Sequence, residues 1–585
     1  MADNVFFPSG RRETQWFSGG RGNGSLITGL KPRILFVFAA FLLAFAALGV
    51  KMIDMALFNK VNVRYLRHGI VSTPTHGLPM RADIIDRNGV IIATNLPTVH
   101  LIAAPRRILN IEDTIQQLRK VFPELRADTL RQRLSRPGGI VYLKRDLTPI
   151  EQDKANRLGL PGIDFERSQR RVYLQGGLFA HVVGAVNLDN EGISGIERAF
   201  NSRLNKDERP LQLSLDIGVQ QEVSSIMQAA VTKYRAIGGT AILMDVTNGR
   251  VLSLVSVPVF NPNNIQSSDL KAMFNYATLG VYEMGSAMKL FNTALALDSG
   301  SIKPSDMFDA TAPMRVGNHT IRDPFPRNRW LSVADILVYS SNIGSVRIAQ
   351  QAGQQHQQAY MQKFGFFDPL DIELPERGAP LVPRVWRPTT LATVSYGYGL
   401  SVTPMHVVAA AGSLVNGGRL MRPTVLEHGS GVVVRRTISQ RTSDEMRSLM
   451  RTTVVAGTAR NANVDGFEVG GKTGTARKVV DGKYRAGMNR TVFISAFPMS
   501  RPRYVLLVLL DEPQRLEGHF NSNAGNNAAP TAGQIIAAVA PILGVAPRGV
   551  DSMLVGAERW RPDVSIEQLV LGAATDEAPD PIYDE

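Results

Sequence analysis

The chain has 585 residues, 44% of them hydrophobic and 20% charged, enough for two or more domains that each bury a core. It contains no cysteine, which excludes disulfides and thiolate metal sites and leaves the redox compartment open. A net charge of +14 suggests an acidic partner such as anionic lipid, a carboxylate-bearing polymer or nucleic acid. The basic residues are nevertheless dispersed, and the nine histidines lack metal-ligand spacing, so neither a nucleic-acid partner nor a metal is expected.

Residues 1–33 are rich in Gly, Ser and Arg without periodicity, the composition of a disordered tail. Ile34 to Val50 is an unbroken apolar run, reaching Ile53 if Lys51 snorkels, and 34–53 is expected to be a membrane-spanning anchor. Ala44-Phe45-Ala46 could pass for a signal-peptide cleavage site, but a 33-residue leader is unusual for one. Orientation is open: Arg21, Lys31 and Arg33 before the run balance Lys60, Arg64 and Arg67 after it. From about Asn62 to Leu215 the chain reads as irregular, with short strands. Ile84 to Ile92 is a hairpin signal about Asn88-Gly89. Arg170 to Tyr173 and Gly192 to Glu197 are turn-rich pieces without a nucleophile and its base, so a binding or spacing module is expected over 62–220, its motifs serving stability.

From about Ile237 the texture changes. Thr240–Val246 and Val251–Val255 are apolar runs joined by Thr247-Asn248-Gly249-Arg250, a second hairpin. A long helical region follows, in which Ser332 is placed to cap a helix. Glu468–Lys478, Asn489–Phe497 and Arg503–Leu510 are strand-like, and Thr531–Leu543 reads as a closing helix. Strands at both ends, helices between and hairpin links predict an α+β domain over 237–545, an antiparallel sheet covered by helices. Residues 546–585 carry few core signals and end in acids, as a solvated tail does.

Three short motifs inside this domain carry chemistry. In Tyr282-Glu283-Met284-Gly285-Ser286-Ala287-Met288-Lys289, glycine permits a tight turn before Ser286. Ala287, Leu290, Phe291, Ala294 and Leu295 then make one apolar helix face, while Ser286, Lys289 and Thr293 share another. A hydroxyl one turn from an amine has an activated nucleophile's layout, although an N-cap serine beside a solvated lysine has the same spacing. Ser340-Ser341-Asn342 places a hydroxyl and an amide on a loop, as a plain helix–helix turn also would. Gly471-Lys472-Thr473-Gly474-Thr475 lies in a strand-like stretch, Lys472 and Gly474 on one side and Thr473 and Thr475 on the other, with glycine letting a substrate backbone approach. Gly466 to Thr473 also satisfies GxxxxGK[ST], but a polar turn precedes it and a strand comes after it, so no helix N-terminus is offered to a phosphate.

Ser-x-x-Lys, Ser-x-Asn and Lys-Thr-Gly in this order, the latter two 54 and 186 residues after Ser286, resemble the motif set of penicillin-binding proteins and class A β-lactamases. Arg81 to Gly89 looks like the opening motif of the pedestal domain of class B penicillin-binding proteins, with Ala82 for the usual glycine. Tyr282 to Lys289 is similar to that family's YEPGSxxK, with Met284 for proline, and Trp386 to Pro404 resembles its division-specific branch. The resemblance implies a transpeptidase/serine β-lactamase-like fold behind an elongated pedestal. It also implies a cytoplasmic tail, one inner-membrane helix and a periplasmic body. The implied activity is a septal peptidoglycan D,D-transpeptidase that uses no cofactor. Its expected partners are stem peptides ending in D-Ala-D-Ala, β-lactams, a membrane-embedded septal glycan polymerase and other division proteins. The alternatives are an elongation-type transpeptidase, a D,D-carboxypeptidase or β-lactamase-like hydrolase, and a non-catalytic division scaffold.

By the same resemblance Ser286 attacks the penultimate D-Ala carbonyl and Lys289, held neutral by desolvation and a nearby cation such as Lys472, is its base. Ser340 relays a proton to the leaving nitrogen and Asn342 holds the substrate amide. Lys472 supplies charge near the terminal carboxylate, which Thr473 and Thr475 bind beside Gly474. Backbone N–H groups of Ser286 and Thr475 form the oxyanion hole.

Overall fold

The computed structural model describes residues 81–548, apart from 137, 430, 519 and 520, together with 43 and 45–47. The expected tails, all but four residues of the expected anchor and residues 62–80 of the expected pedestal therefore lie outside the described residues. Among those described, no helix is long and apolar enough to cross a membrane. The chain divides into two units, Met1–His76 and Gly77–Glu585, and every strand among the described residues lies in the second.

Strands β1 (Ile84–Ile85), β2 (Ile91–Ala103), β3 (Val141–Leu147), β4 (Ile163–Tyr173) and β5 (Leu211–Gln212) form one sheet. The Asn-Gly hairpin expected between β1 and β2 is present. Asp86 Oδ1 accepts from the backbone N–H of Asn88 and of Val90 at 2.8 Å, and Gly89 takes φ +86°. The other Asp86 oxygen accepts from Ile217 N at 3.2 Å, so one side chain shapes the turn and ties it to the start of the next helix. Arg81 and Arg171 both close on Glu197, at 2.7 Å each, and the guanidinium groups and the carboxylate are all buried.

The expectation of short, irregular strands here is corrected. β2 and β4 have 13 and 11 residues and pair without interruption from Ala93↔Tyr173 to Ala103↔Ile163. Pro97 hides β2, because proline normally ends a central strand. It is tolerated because β1 pairs with β2 only as far as Ala93 and β3 begins pairing at Val99, leaving one side of the strand open at the proline. Three helices of eight or more residues, besides shorter ones, are also present among the described residues where only strands and turns were expected: α1 (Ile111–Val121), α2 (Ala127–Leu134) and α3 (Pro149–Asn156). Their Ile115, Leu118, Leu130, Leu134 and Ala155 join Leu101 in a small separate core.

The second sheet is antiparallel, as expected. After α4 (Ile217–Lys233) come β6 (Gly238–Asp245) and β7 (Val251–Val257); β8 (Gly470–Val480), β9 (Lys483–Phe497) and β10 (Tyr504–Asp511) complete the order β8-β9-β10-β6-β7. Every residue of β6 and β10 is buried. In β10, Val505, Leu507 and Leu509 enter one core while Tyr504, Leu506, Val508 and Leu510 enter the other, which explains its continuous rather than alternating apolar run. The second core is closed by α4 and by α10 (Ala528–Ile542). The first is filled by α5 (Lys289–Asp298), α6 (Val333–Val338), α7 (Asn342–Ala352), α8 (Pro404–Val415) and α9 (Gln440–Ala456). Ser332 caps α6 in a capping box, as its sequence position suggests. The region expected to be helical also holds three two-stranded sheets, such as Met314–Val316 with His319–Ile321, whose strands of three or four residues are too short to show a period.

Candidate active site

The turn that delivers Ser286 is a 3-10 segment, Gly285–Met288, running directly into α5. Gly285 takes φ +51°, and a Cβ there would fall 2.5 Å from the carbonyl oxygen of Thr475. The helix itself departs from the expected two-faced pattern. Lys289 to Leu297 are all buried, so α5 is a central core helix and the Lys289 amine lies out of water. Asp298-Ser299-Gly300 ends it as expected, with Gly300 at φ +70°.

Around that amine the separated motifs meet. Lys289 Nζ lies 3.1 Å from Ser286 Oγ, donates to the Ser340 carbonyl at 2.5 Å and to Asn342 Oδ1 at 2.7 Å, and is 3.3 Å from Ser340 Oγ. Ser340 sits between α6 and α7 at φ +59°, a strained conformation for a side-chain-bearing residue. Asn342 is not on a loop as expected but is the first residue of α7, with Ser341 as the N-cap. Its Nδ2 donates to the Arg322 carbonyl at 3.0 Å, which fixes the amide orientation and aims Oδ1 at the lysine.

Lys472 enters from β8, fully buried, and donates to Ser340 Oγ at 3.0 Å and to the Thr473 carbonyl at 3.1 Å. The Ser340 hydroxyl therefore bridges two amines. Thr473 and Thr475 face the other side, as the strand period predicts: Thr473 Oγ1 is 2.7 Å from Thr458 Oγ1, and Thr475 Oγ1 accepts from Ala524 N at 3.1 Å. Gly474 also has a structural role. A Cβ there would meet the Met284 carbonyl at 2.2 Å and Ala287 N at 2.9 Å, so this glycine admits the turn carrying Ser286. Gly397, in the Tyr396–Leu400 stretch, braces the same turn by accepting from Gly285 N at 3.1 Å.

Burial, then the charge of Lys472, push the Lys289 amine well below the usual lysine range, with Asp323 pulling it weakly back. Burial also brings Lys472 down to about 7. A neutral amine has two N–H donors and one lone pair. The carbonyl of Ser340 and Oδ1 of Asn342, which can only accept, take both donors, and the lone pair is left for the Ser286 hydroxyl proton. Such an arrangement can activate a serine for attack on an acyl carbon. Among the described residues no group of three or more His, Asp or Glu is placed to hold a metal.

Two residues of the site have no role assigned by the motifs, although Glu283 stands at the E of the YEPGSxxK-like stretch. Asp323, buried, accepts from Ser341 Oγ at 2.6 Å and from Ile343 N at 2.9 Å, holding the start of α7. Glu283 stands three residues before the serine, but its spacing suggests no role. It accepts from Gly399 N at 2.6 Å and from the Tyr484 hydroxyl at 3.0 Å, tying the β8–β9 hairpin to the residues before Ser286. Burial raises its carboxyl above the usual range.

Residues 239–537 match the family described as penicillin binding protein transpeptidase domain, and residues 76–208 match the penicillin-binding protein dimerisation domain. A probable peptidoglycan D,D-transpeptidase FtsI of Caulobacter vibrioides is 34% identical over 481 residues, spanning 80% of this chain and 82% of its own length. The peptidoglycan D,D-transpeptidase FtsI of Escherichia coli is 28% identical across 88% of this chain and 91% of its own. Among solved structures, a peptidoglycan synthetase from Bifidobacterium adolescentis shares the fold with a TM-score of 0.65 at 23% identity, covering 81% of this chain and 97% of that one.

Proposed function

The chain belongs to the class B penicillin-binding protein transpeptidases, and on that footing we propose that it cross-links peptidoglycan stem peptides at the division septum through an ester on Ser286. Ser286 Oγ attacks the carbonyl of the penultimate D-Ala while its proton passes to Lys289. Collapse of the tetrahedral intermediate expels the terminal D-Ala, whose nitrogen takes a proton relayed through Ser340. An amine of a neighbouring stem then attacks the ester, and the serine regains its proton. The supporting observation is the amine of Lys289, buried and fixed by two obligate acceptors with its third direction toward Ser286.

Lys472, with Thr473 and Thr475, is assigned to the substrate's terminal carboxylate, whose negative charge would draw the Lys472 proton back on. Asn342 is assigned to the substrate amide in addition to its bond to Lys289. The oxyanion is assigned to the backbone N–H groups of Ser286 and Thr475, adjacent because the Gly285 turn lies against β8, the edge strand of its sheet. The layout proposed is a tail over 1–33, an inner-membrane anchor over 34–53, a pedestal over 62–220, a periplasmic catalytic domain over 237–545 and a second tail over 546–585. The apolar run and the resemblance of residues 386–404 to the division branch support these assignments, as well as engagement of a membrane-embedded septal glycan polymerase and other division proteins.

Labelling with a fluorescent penicillin, followed by a chase, tests the reaction. Stable label on the wild-type chain and none on Ser286→Ala is the expected result. Rapid loss of label would indicate a hydrolase instead, and absence of label a non-catalytic scaffold. A fluorescent fusion confined to the side wall rather than the septum would overturn the division assignment.

A further inference from the structure

A cavity of about 220 Å³ opens at the end of the catalytic sheet where the β6–β7 turn (Thr247) and the β9–β10 turn (Ser500 to Pro502) meet the end of α8 and the start of α9. It shares no residue with the Ser286 site. Three of its lining residues are arginines, Arg419, Arg447 and Arg501. Only one carboxylate among the described residues pairs with any of them: Asp444, 3.4 Å from Arg447. Arg419 bonds the Asn416 carbonyl at 3.3 Å, and Arg501 has no ion pair among the described residues. Three guanidinium groups beside a single carboxylate leave a net positive concavity, the footing for an anionic ligand.

The charge and course of the chain indicate which anion. The last described residues run past this cavity: Arg548 N donates to the Gly466 carbonyl at 2.9 Å, and the Arg548 guanidinium donates to Ser500 Oγ, a hydroxyl of the cavity wall. From there residues 549–585 carry nine acidic and two basic side chains, opposite in sign to the chain as a whole, and residues 576–585 hold five acids and no base. Asp576 is 28 residues beyond Arg548, a reach of up to about 90 Å when extended, so it can return to a cavity that begins at Ser500. We propose that this acidic C-terminal segment docks in the Arg419–Arg447–Arg501 cavity, its carboxylates taking the guanidinium groups in forked ion pairs. The tether makes a weak contact sufficient. A segment attached this close acts at an effective concentration on the order of millimolar, so even a modest intrinsic affinity keeps the cavity occupied. The contact is exposed and ionic, and salt screens it.

The absence of native cysteine allows a direct test in the full chain. Gln440→Cys, on the cavity wall, is combined with Tyr583→Cys in the acidic segment, and a short bis-maleimide links them. The expected result is a link within one chain that forms about tenfold faster than in a control pair with Leu109→Cys, an exposed pedestal position, and falls about tenfold in molar salt. Arg419→Glu with Arg501→Glu should abolish the preference, and adding Asp576→Lys, Glu577→Lys and Asp580→Lys should restore it. Penicillin labelling of each variant reports that the catalytic domain is folded. The proposal is overturned if linking at 440 is no faster than at 109, if the charge reversals leave its rate unchanged, or if the link joins two chains, which would make a second copy the occupant.

Discussion

Replacing Lys472 with Met should change how stability depends on pH, in a direction fixed by the burial of this side chain. In the folded protein its amine titrates at about 7 against 10.5 for an ordinary lysine. Between those values the unfolded chain holds a proton that the folded chain lacks, so wild-type stability rises with pH across this window, by roughly 1.4 kcal/mol per unit. The penalty is complete below about 7, where it amounts to roughly 4–5 kcal/mol, and it vanishes above 10.5. Lys472→Met removes that titration but takes a donor from the Thr473 carbonyl and one of two from Ser340 Oγ, a loss of about 1–3 kcal/mol each that does not vary with pH. The two contributions offset one another near neutrality, so the slope is decisive rather than the value at any single pH. Thermal unfolding of both chains at pH 7, 8 and 9, scanned at one rate, should show the wild-type midpoint gaining on the variant by about 2 °C per pH unit. A gap that stays constant from pH 7 to 9, or that moves the other way, would refute a buried amine with a depressed pKa.

Asp323→Asn removes the negative charge that partly sustains the Lys289 pKa, so the acid limb of penicillin acylation should move to lower pH; an unmoved limb in rates measured from pH 5 to 8 would separate Asp323 from Lys289. Glu283→Ala deprives Gly399 N and the Tyr484 hydroxyl of their acceptor and should slow acylation at least tenfold, on the order of 1.4 kcal/mol, whereas Glu283→Gln keeps an acceptor oxygen and should stay near wild type in second-order labelling rates. Equal rates for the Ala and Gln variants would count against the tie. Glu197→Ala leaves two buried guanidinium groups unpaired and should cost roughly 3–5 kcal/mol, read as a lowered unfolding midpoint, while an unchanged midpoint would mean that water reaches Arg81 and Arg171.

The features that can be read from the sequence are those whose signal is local. The Asn88-Gly89 and Asn248-Gly249 turns, the apolar run of β10 and the cap at Ser332 each report their structure through neighbours a few residues away. Ser286 and Lys289 are legible for the same reason, being one turn apart. What stays hidden depends on partners far along the chain. Asp323 and Glu283 are ordinary loop acids until Ser341, Gly399 and Tyr484 arrive, and β2 looks interrupted because Pro97 is harmless only where no strand pairs on one side. Helices α1 to α3 are short and only partly apolar, so their role becomes visible once Leu101 supplies the surface they cover.

The site is built against its own stability, and the fold shows how that is sustained. Two lysines are buried together, one serine is held at positive φ, and the turn carrying Ser286 is pressed against strand β8 closely enough that only glycine fits at 285 and 474. None of these features would persist on a loose surface loop. They persist because α5, which begins at Lys289, is enclosed on every side, with Leu290, Phe291, Ala294 and Leu295 in the largest core and Phe291 wedged edge-on against Phe364 and Phe366. Moving the serine away from the lysine would require moving that helix. The pairing of an all-buried helix with a strained turn at its first residue therefore explains why a neutral amine can be held at 3.1 Å from the hydroxyl before any substrate arrives.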